Sequence, residues 1–429
     1  MNFKGLSRAV SLTLLALVLA SCESFFCFTE THTYETQVPV YLSPEEVNDI
    51  KSLPPQAIKK PGKIYLHHKL ILINEINEGI HVLDNSDPRK PVKLAFLSIP
   101  GNHDLLVRQD NTGTVLYADN HTDLVAIDMG DPGKITVLKR LENVFGSFYP
   151  EPDSDQGILI GYETKEITET YRRCPGVVYD APSTPTPSPT PEPAPSPDAG
   201  PGGPSQGGSL ARFASLENFL YTIDGEAIQV VRLETLANPQ LSHRVPVDFG
   251  IETLFPYARE EGDQLYVGGN AGMYILDASD PANLRPQGKI SHVQSCDPVV
   301  VQGDLAYVTL QGSCFGQENR LEIIDVSDPS EPRLITDYPL QEPFGLGVDG
   351  EYLFVCDGAA GLKVYKNARS PKELEIILQL DDVKARDIIP WNDTAIVIGE
   401  NGFFQYDYSN LAKGEMTLLS SIFVEKDED

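Results

Sequence analysis

A short phrase of apolar and aromatic residues returns along the whole chain. It reads Leu70-Ile71-Leu72-Ile73, Val115-Leu116-Tyr117-Ala118, Ile158-Leu159-Ile160-Gly161, Phe219-Leu220-Tyr221-Thr222, Leu265-Tyr266-Val267, Ala306-Tyr307-Val308, Leu353-Phe354-Val355 and Ala395-Ile396-Val397. Aligned on central residues from Leu72 to Ile396, the eight copies stand 41 to 47 residues apart, with one step of 61. Short β-branched and aromatic runs at a fixed period predict tandem β-units within one domain. A second strand follows the first, as in Gly79-Ile80-His81-Val82-Leu83-Asp84 or Met273-Tyr274-Ile275-Leu276-Asp277. Four copies then reach Asp-Pro, at Asp87-Pro88, Asp131-Pro132, Asp280-Pro281 and Asp328-Pro329. Proline cannot donate to a ladder and aspartate bonds its own turn, so pairing stops there.

A third strand (Arg333-Leu334-Ile335-Thr336-Asp337-Tyr338) and a fourth that opens the next unit (Asp297-Pro298-Val299-Val300-Val301) complete the period. Four strands in about 40 to 45 residues is the pattern of a propeller blade. The expectation is an all-β propeller over residues 61–425 with eight four-stranded blades. Seven is the alternative, because Ile167 to Tyr179 lacks the Asp-Pro turn. The long step holds a Pro/Gly-rich stretch over 182–208, whose prolines keep an extended, donor-poor backbone, and it reads as a solvated loop inserted in the third unit. Residues 22–60, with Gln37-Val38-Pro39-Val40-Tyr41, read as a tether with a candidate strand that latches the ring.

The phrases Leu321-Glu322-Ile323-Ile324-Asp325-Val326-Ser327-Asp328-Pro329 and Met273-Tyr274-Ile275-Leu276-Asp277-Ala278-Ser279-Asp280-Pro281 resemble the LVIVD repeat. That repeat builds β-propellers in secreted and surface proteins of bacteria, including lipoproteins of Bacteroidetes-like organisms. The resemblance runs from about Gly62 to Val424 and implies fold and compartment, without implying an activity. It departs at Val231-Arg232-Leu233-Glu234, Tyr365-Lys366-Asn367-Ala368 and Tyr406-Asp407-Tyr408-Ser409, where the Asp-Pro turn is replaced.

Residues 1–21 place Lys4 and Arg8 before an apolar run from Leu12 to Ala20, the layout of a secretory signal and too short to span a bilayer permanently. The run ends in Leu19-Ala20-Ser21-Cys22, which resembles a bacterial lipobox and implies acylation of Cys22. Several chains on one residue, at about 0.8 kcal/mol per buried methylene, hold a membrane firmly. Glu23, in place of an aspartate, points to the outer membrane. Lys+Arg 33 against Asp+Glu 62 leaves a net charge of −29, which argues against nucleic acid and for cations, basic partners or plain solubility.

Candidate chemistry gathers where the innermost strands begin. Asp104, Glu252, Asp297 and Asp387 align there, with His103 and Arg386 beside two of them. Hard cations such as calcium take six to eight oxygens, so the four acids are a candidate Ca2+ or other divalent site; equally, each acid can accept from turn N–H groups with no ion at all. Second strands bring Asp119, Asn120, His121, Asp123, Asn270, Cys356 and Asp357 to the same rim. Among Cys27, Cys174, Cys296, Cys314 and Cys356, the expected disulfide is Cys296–Cys314, with Cys356 the rival partner. Phe315, Phe344 and Trp391 are candidates for a glycan-stacking platform. No Gly-x-Ser-x-Gly motif occurs. The leading expectation is an envelope binding module for a partner protein, glycan or ion. A metal-dependent, lactonase-like hydrolase with its ion in the central channel is the alternative.

Overall fold

The computed structural model describes residues 28–146, 156–173, 205–260, 262–291, 298–312 and 319–425. They fall into two compact units: a propeller unit within Tyr41–Gly161 and Pro191–Asp429, and a ribbon unit within Met1–Val40 and Tyr162–Thr190.

The propeller has seven blades, formed by residues 61–98, 105–141, 213–246, 251–290, 299–339, 346–380 and 385–423. In each, four antiparallel strands pair in chain order from the innermost outward, and the innermost strands neighbour one another around the ring. The propeller expectation holds, but its leading count of eight gives way to seven.

The third copy of the phrase begins no blade. It opens a 16-residue strand, Ile158–Arg173, that pairs with the 15-residue strand Phe28–Leu42. In the ribbon, Thr31 meets Thr170 (3.4 Å), Thr33 meets Thr168 (3.1 Å) and Gln37 donates to Thr164 (2.8 Å), so the register is antiparallel. The reason lies past Gly161: Tyr-Glu-Thr-Lys-Glu-Ile-Thr-Glu-Thr-Tyr puts charges and hydroxyls on both faces. A blade must bury both faces against its neighbours, and this strand has no apolar face to offer.

Why the repeat phrase matters is visible in its tyrosines. Tyr117, Tyr221 and Tyr307 are buried at the centre of their blades. Each hydroxyl donates to a carbonyl of the following blade: Leu236 (2.7 Å), Pro281 (2.6 Å) and Ala368 (2.8 Å). A buried aromatic body packs between blades while its polar tip locks the next turn. The Asp-Pro turns also behave as their chemistry requires. Asp84 and Asp325 accept from the N–H two residues on, at 2.8 and 2.9 Å, and Asp87 and Asp328 repeat the bond one turn later.

Among the described residues ring closure uses no strand exchanged between the chain ends, since the four strands of blade 7 come from residues 385–423. Instead Asn85 and Gln405 exchange two amide hydrogen bonds of 2.8 Å, and Ser420 donates to Pro88 O (2.7 Å). Ile64, Ile71 and Leu83 of blade 1 pack with Ile389, Ile396 and Phe403 of blade 7. Within the expected tether, Lys51–Leu53 is added as the outermost strand of blade 1, paired with that blade's own strand Val92–Ser98; Gln37–Tyr41, the candidate latch, belongs to the ribbon strand.

The inserted loop also ends earlier than expected. Ser205–Gly207 is a strand on the inner edge of blade 1, antiparallel to Pro61–His67, with Ser205 opposite His67 and Gly207 opposite Tyr65. The prolines stop at Pro204, so backbone donors are restored just where pairing begins. Residues 182–204 lie outside the described residues, as do Cys22, Cys27 and Cys174.

Candidate functional site: the central channel and its two mouths

The innermost strands define a channel with an upper mouth, where they begin, and a lower mouth, where they end. Blade 1's added strand enters from the lower mouth beside His67, and the chain climbs to the upper mouth before starting blade 3 at Phe213. Residues 205–212 therefore plug the channel. Gly208 N donates to Ile64 O (3.1 Å), and Leu254 N donates to Ala211 O (2.9 Å). Ser209 N and Oγ donate to Asp387 Oδ1 (2.9 and 3.0 Å), while the same hydroxyl accepts from Leu346 N (2.6 Å). Arg212 N donates to Asp104 Oδ2 (2.5 Å) and Arg212 O accepts from Ile223 N (3.2 Å). One segment thus bonds blades 1, 2, 3, 4, 6 and 7.

Glycine is required in this packing. A Cβ on Gly208 would stand 1.8 Å from Asp387 Oδ2, and one on Gly345 would stand 2.4 Å from Asp387 Oδ1 and 2.6 Å from Ser209 Oγ. The close approach of two backbones to a buried carboxyl leaves no room for a methyl group.

The sequence-selected acids at the upper mouth are tied to this plug and to neighbouring backbone. Buried Asp104 pairs with buried Lys63 (Nζ to Oδ2, 3.3 Å). Asp119 Oδ1 accepts from His103 N (2.8 Å), Asp104 N (2.8 Å) and Asn102 Nδ2 (2.7 Å). Burial lifts its carboxyl to about 6, against the pull of Arg212 and these donors. Burial likewise lifts Asp387 to about 8, although Ile388 N and Ser209 donate to it. Lys63 falls to about 8, because burial outweighs Asp104. His103 drops to about 3 through burial and the nearby Arg212, Lys63 and His121, which leaves a neutral imidazole at pH 7.

Asp357, fully buried, accepts from Gln341 N (2.9 Å) and Glu342 N (2.7 Å) and pairs with Lys363. Glu252 stands half-buried at the start of blade 4's innermost strand. Asp297, Cys296, Cys314 and Phe315 lie outside the described residues. Cys356 is a buried thiol held above its ordinary range by burial and by Asp387 and Asp357. Phe344 is buried beneath the Arg386 guanidinium, 4.4 Å from its ring centre, so it offers no open platform. Among the described residues no three His, Cys, Asp or Glu side chains are placed to hold one metal ion. The cations set against these acids include, among the described residues, Lys63, Arg212 and, at Asp357, Lys363, which sequence reasoning had not singled out.

The lower mouth is different. The plug fills its blade 1 side, and a cavity of about 590 Å³ remains against blades 4 to 7. Trp391, the third aromatic candidate, lies there with Tyr257, Gln302, Asp349 and Asp393, above a floor that includes Val300, Leu346 and Ile388. Each polar or aromatic group here stands at the end of an innermost strand or in the turn that follows.

A family model described as the LVIVD repeat matches residues 261–289 and 295–339. The chain carries LVIVD repeats. The match falls on blades 4 and 5, where the repeat phrases were quoted. No curated protein matches the sequence. Solved structures share the fold at low identity. A protein from Lactobacillus plantarum is 12% identical with a TM-score of 0.54, covering 85% of this chain and 96% of its own. One described as a candidate 6-phosphogluconolactonase from Bacteroides uniformis is 11% identical, TM-score 0.54, covering 86% and 98%. A second so described, from Bacteroides fragilis, is 12% identical, TM-score 0.51, covering 87% and 98%. At these identities the likeness concerns the fold, and this propeller's site must be argued from its own residues.

Proposed function

We propose that this LVIVD propeller is a non-catalytic binding module of the cell envelope, tethered to a membrane, in the outer membrane for preference, by lipid on Cys22. The observation that carries the reading is the plug. A catalytic ion or base in the channel must meet substrate there, yet residues 208–212 pack into the upper half, and Asp104, Asp119 and Asp387 already hold Lys63, Ser209 and backbone N–H groups, that of Arg212 included. A rigid disc whose opening is a mouth lined by partly exposed aromatic and polar groups suits recognition.

The lactonase-like alternative draws on the fold likeness above and on the same acids, so it is tested directly. The mature chain is assayed for bound metal, for melting with and without a chelator, and for hydrolysis of a lactone panel that includes 6-phosphogluconolactone. The binding reading expects no chelator-dependent shift and no turnover. Stoichiometric metal whose removal lowers the melting temperature, with turnover, overturns it. Anchoring is tested with Cys22→Ser, which should move the protein from the membrane to the soluble fraction; unchanged fractionation contradicts the tether.

A further inference from the structure

The lower-mouth cavity has the chemistry of a sugar site. We propose that it binds the ring of a neutral saccharide, stacked on Trp391 and hydrogen-bonded by Asp349 and Asp393; this rests on the binding-module reading and names its ligand class. A pyranose presents a C–H face that packs on an aromatic ring and an edge of hydroxyl donors that carboxylates accept strongly. Both halves of that demand are met. Trp391 is half-buried at the end of blade 7's innermost strand, next to a turn whose Asn392 and Asp393 both take left-handed backbone (φ 48° and 59°), the two-residue hairpin geometry that holds Asp393 beside it. On the neighbouring blade 6, Asp349 accepts from Tyr408 Oη (2.7 Å), which orients its carboxylate. Gln302 is immobilised by reciprocal 2.8 Å bonds with Gly350.

Charge narrows the ligand. Among the described residues the cavity is lined by no Lys, Arg or His, in a chain of net charge −29. A phosphorylated or acidic sugar would meet carboxylates only and pay their repulsion. A volume of about 590 Å³ lies within the ordinary range of small-molecule sites, roughly 300 to 1,000 Å³. Exposure of Asp393 screens its charge, which favours hydrogen-bond acceptance over ion pairing with an amine.

Trp391 is the sole tryptophan of the chain, so its fluorescence reports on this mouth alone. The experiment titrates the full mature chain, in a detergent without a sugar headgroup, with methyl glycosides and trisaccharides of neutral hexoses, and in parallel with glucose 6-phosphate and choline. A saturable emission change is expected for at least one neutral saccharide, with glucose 6-phosphate at least about tenfold weaker. Asp393→Asn and Asp349→Asn should each weaken that binding about tenfold, the scale of a lost charge-assisted hydrogen bond, while melting temperatures stay near wild type.

No saturable signal and no calorimetric heat across the neutral panel overturns the proposal, as does preference for choline or the phosphosugar, or binding indifferent to both substitutions. Failure here leaves the binding-module reading to its own metal and hydrolysis tests. A saccharide that is bound and then cleaved would keep the site and remove the non-catalytic reading.

Discussion

The two ends of the channel are built from the same strands and differ in what their polar groups face. At the upper end Lys63, Asp104, Asp119 and Asp387 are buried and bonded to one another's neighbourhoods or to the plug. At the lower end Asp349 and Asp393 are exposed, and Trp391 and Gln302 are half-buried around an open cavity. A cluster of acids is therefore a poor guide to a ligand site by itself. Buried carboxylates already supplied with donors serve the fold, whereas the same groups beside an unfilled cavity remain available to a ligand.

Substitutions should separate the two ends. Lys63→Met leaves Asp104 without its cation in a dry site, and breaking a buried pair by removing one partner costs about 3–5 kcal/mol. Denaturant unfolding should show a loss of that size; a loss below about 1 kcal/mol would mean the upper mouth is wet. Gly208→Ala places a methyl group 1.8 Å from Asp387 Oδ2 and should cost about 1–3 kcal/mol by overpacking. Combining it with Asp387→Ala should recover part of that loss, and strict additivity would place Gly208 away from the carboxyl.

The pH dependence sharpens the contrast. Burial raises Asp387 from 3.8 to about 8 in the folded protein, so folding favours its protonated form. The stability it contributes is full below about pH 4 and is lost as pH rises toward 8. Lys63, lowered to about 8, acts with the opposite slope at higher pH. Asp387→Asn removes only the first contribution. Its melting temperature relative to wild type should become more favourable between pH 5 and 8 and then level off; a difference flat with pH would contradict a buried, neutral Asp387. At the lower mouth, Asp393→Asn should change stability by no more than about 0.5 kcal/mol, as exposed turn positions do, and asparagine accepts the left-handed backbone there. A larger loss would make that end structural too.

Much of the fold was legible because its signals are local. The apolar phrase and the Asp-Pro turn are each written within a dozen residues, and both recur where the structure places blades. Ile158-Leu159-Ile160 misled the count because a central strand is recognised by those residues alone, whereas a blade depends on the faces of the strands that follow. The plug was not legible. Ser205-Gln206-Gly207-Gly208-Ser209-Leu210-Ala211-Arg212 has no strand-like alternation, and its partners come from six blades far apart in sequence. Its only local signs are the end of the proline tract at Pro204 and the glycine pair. Upper-mouth acids could be aligned from sequence, but Lys63 and Arg212, which answer their charge, could not. Trp391 was expected on a platform at the rim where the innermost strands begin, whereas it ends its strand and stands at the opposite mouth.

Hydrogen–deuterium exchange over a peptide spanning residues 205–213 tests the plug most directly. The amides of Gly208, Ser209 and Arg212 donate to Ile64 O, Asp387 and Asp104 deep in the ring, so they should exchange as slowly as the central strands of the blades. Exchange as fast as an exposed loop would mean that the channel is open and its acids are free for other work.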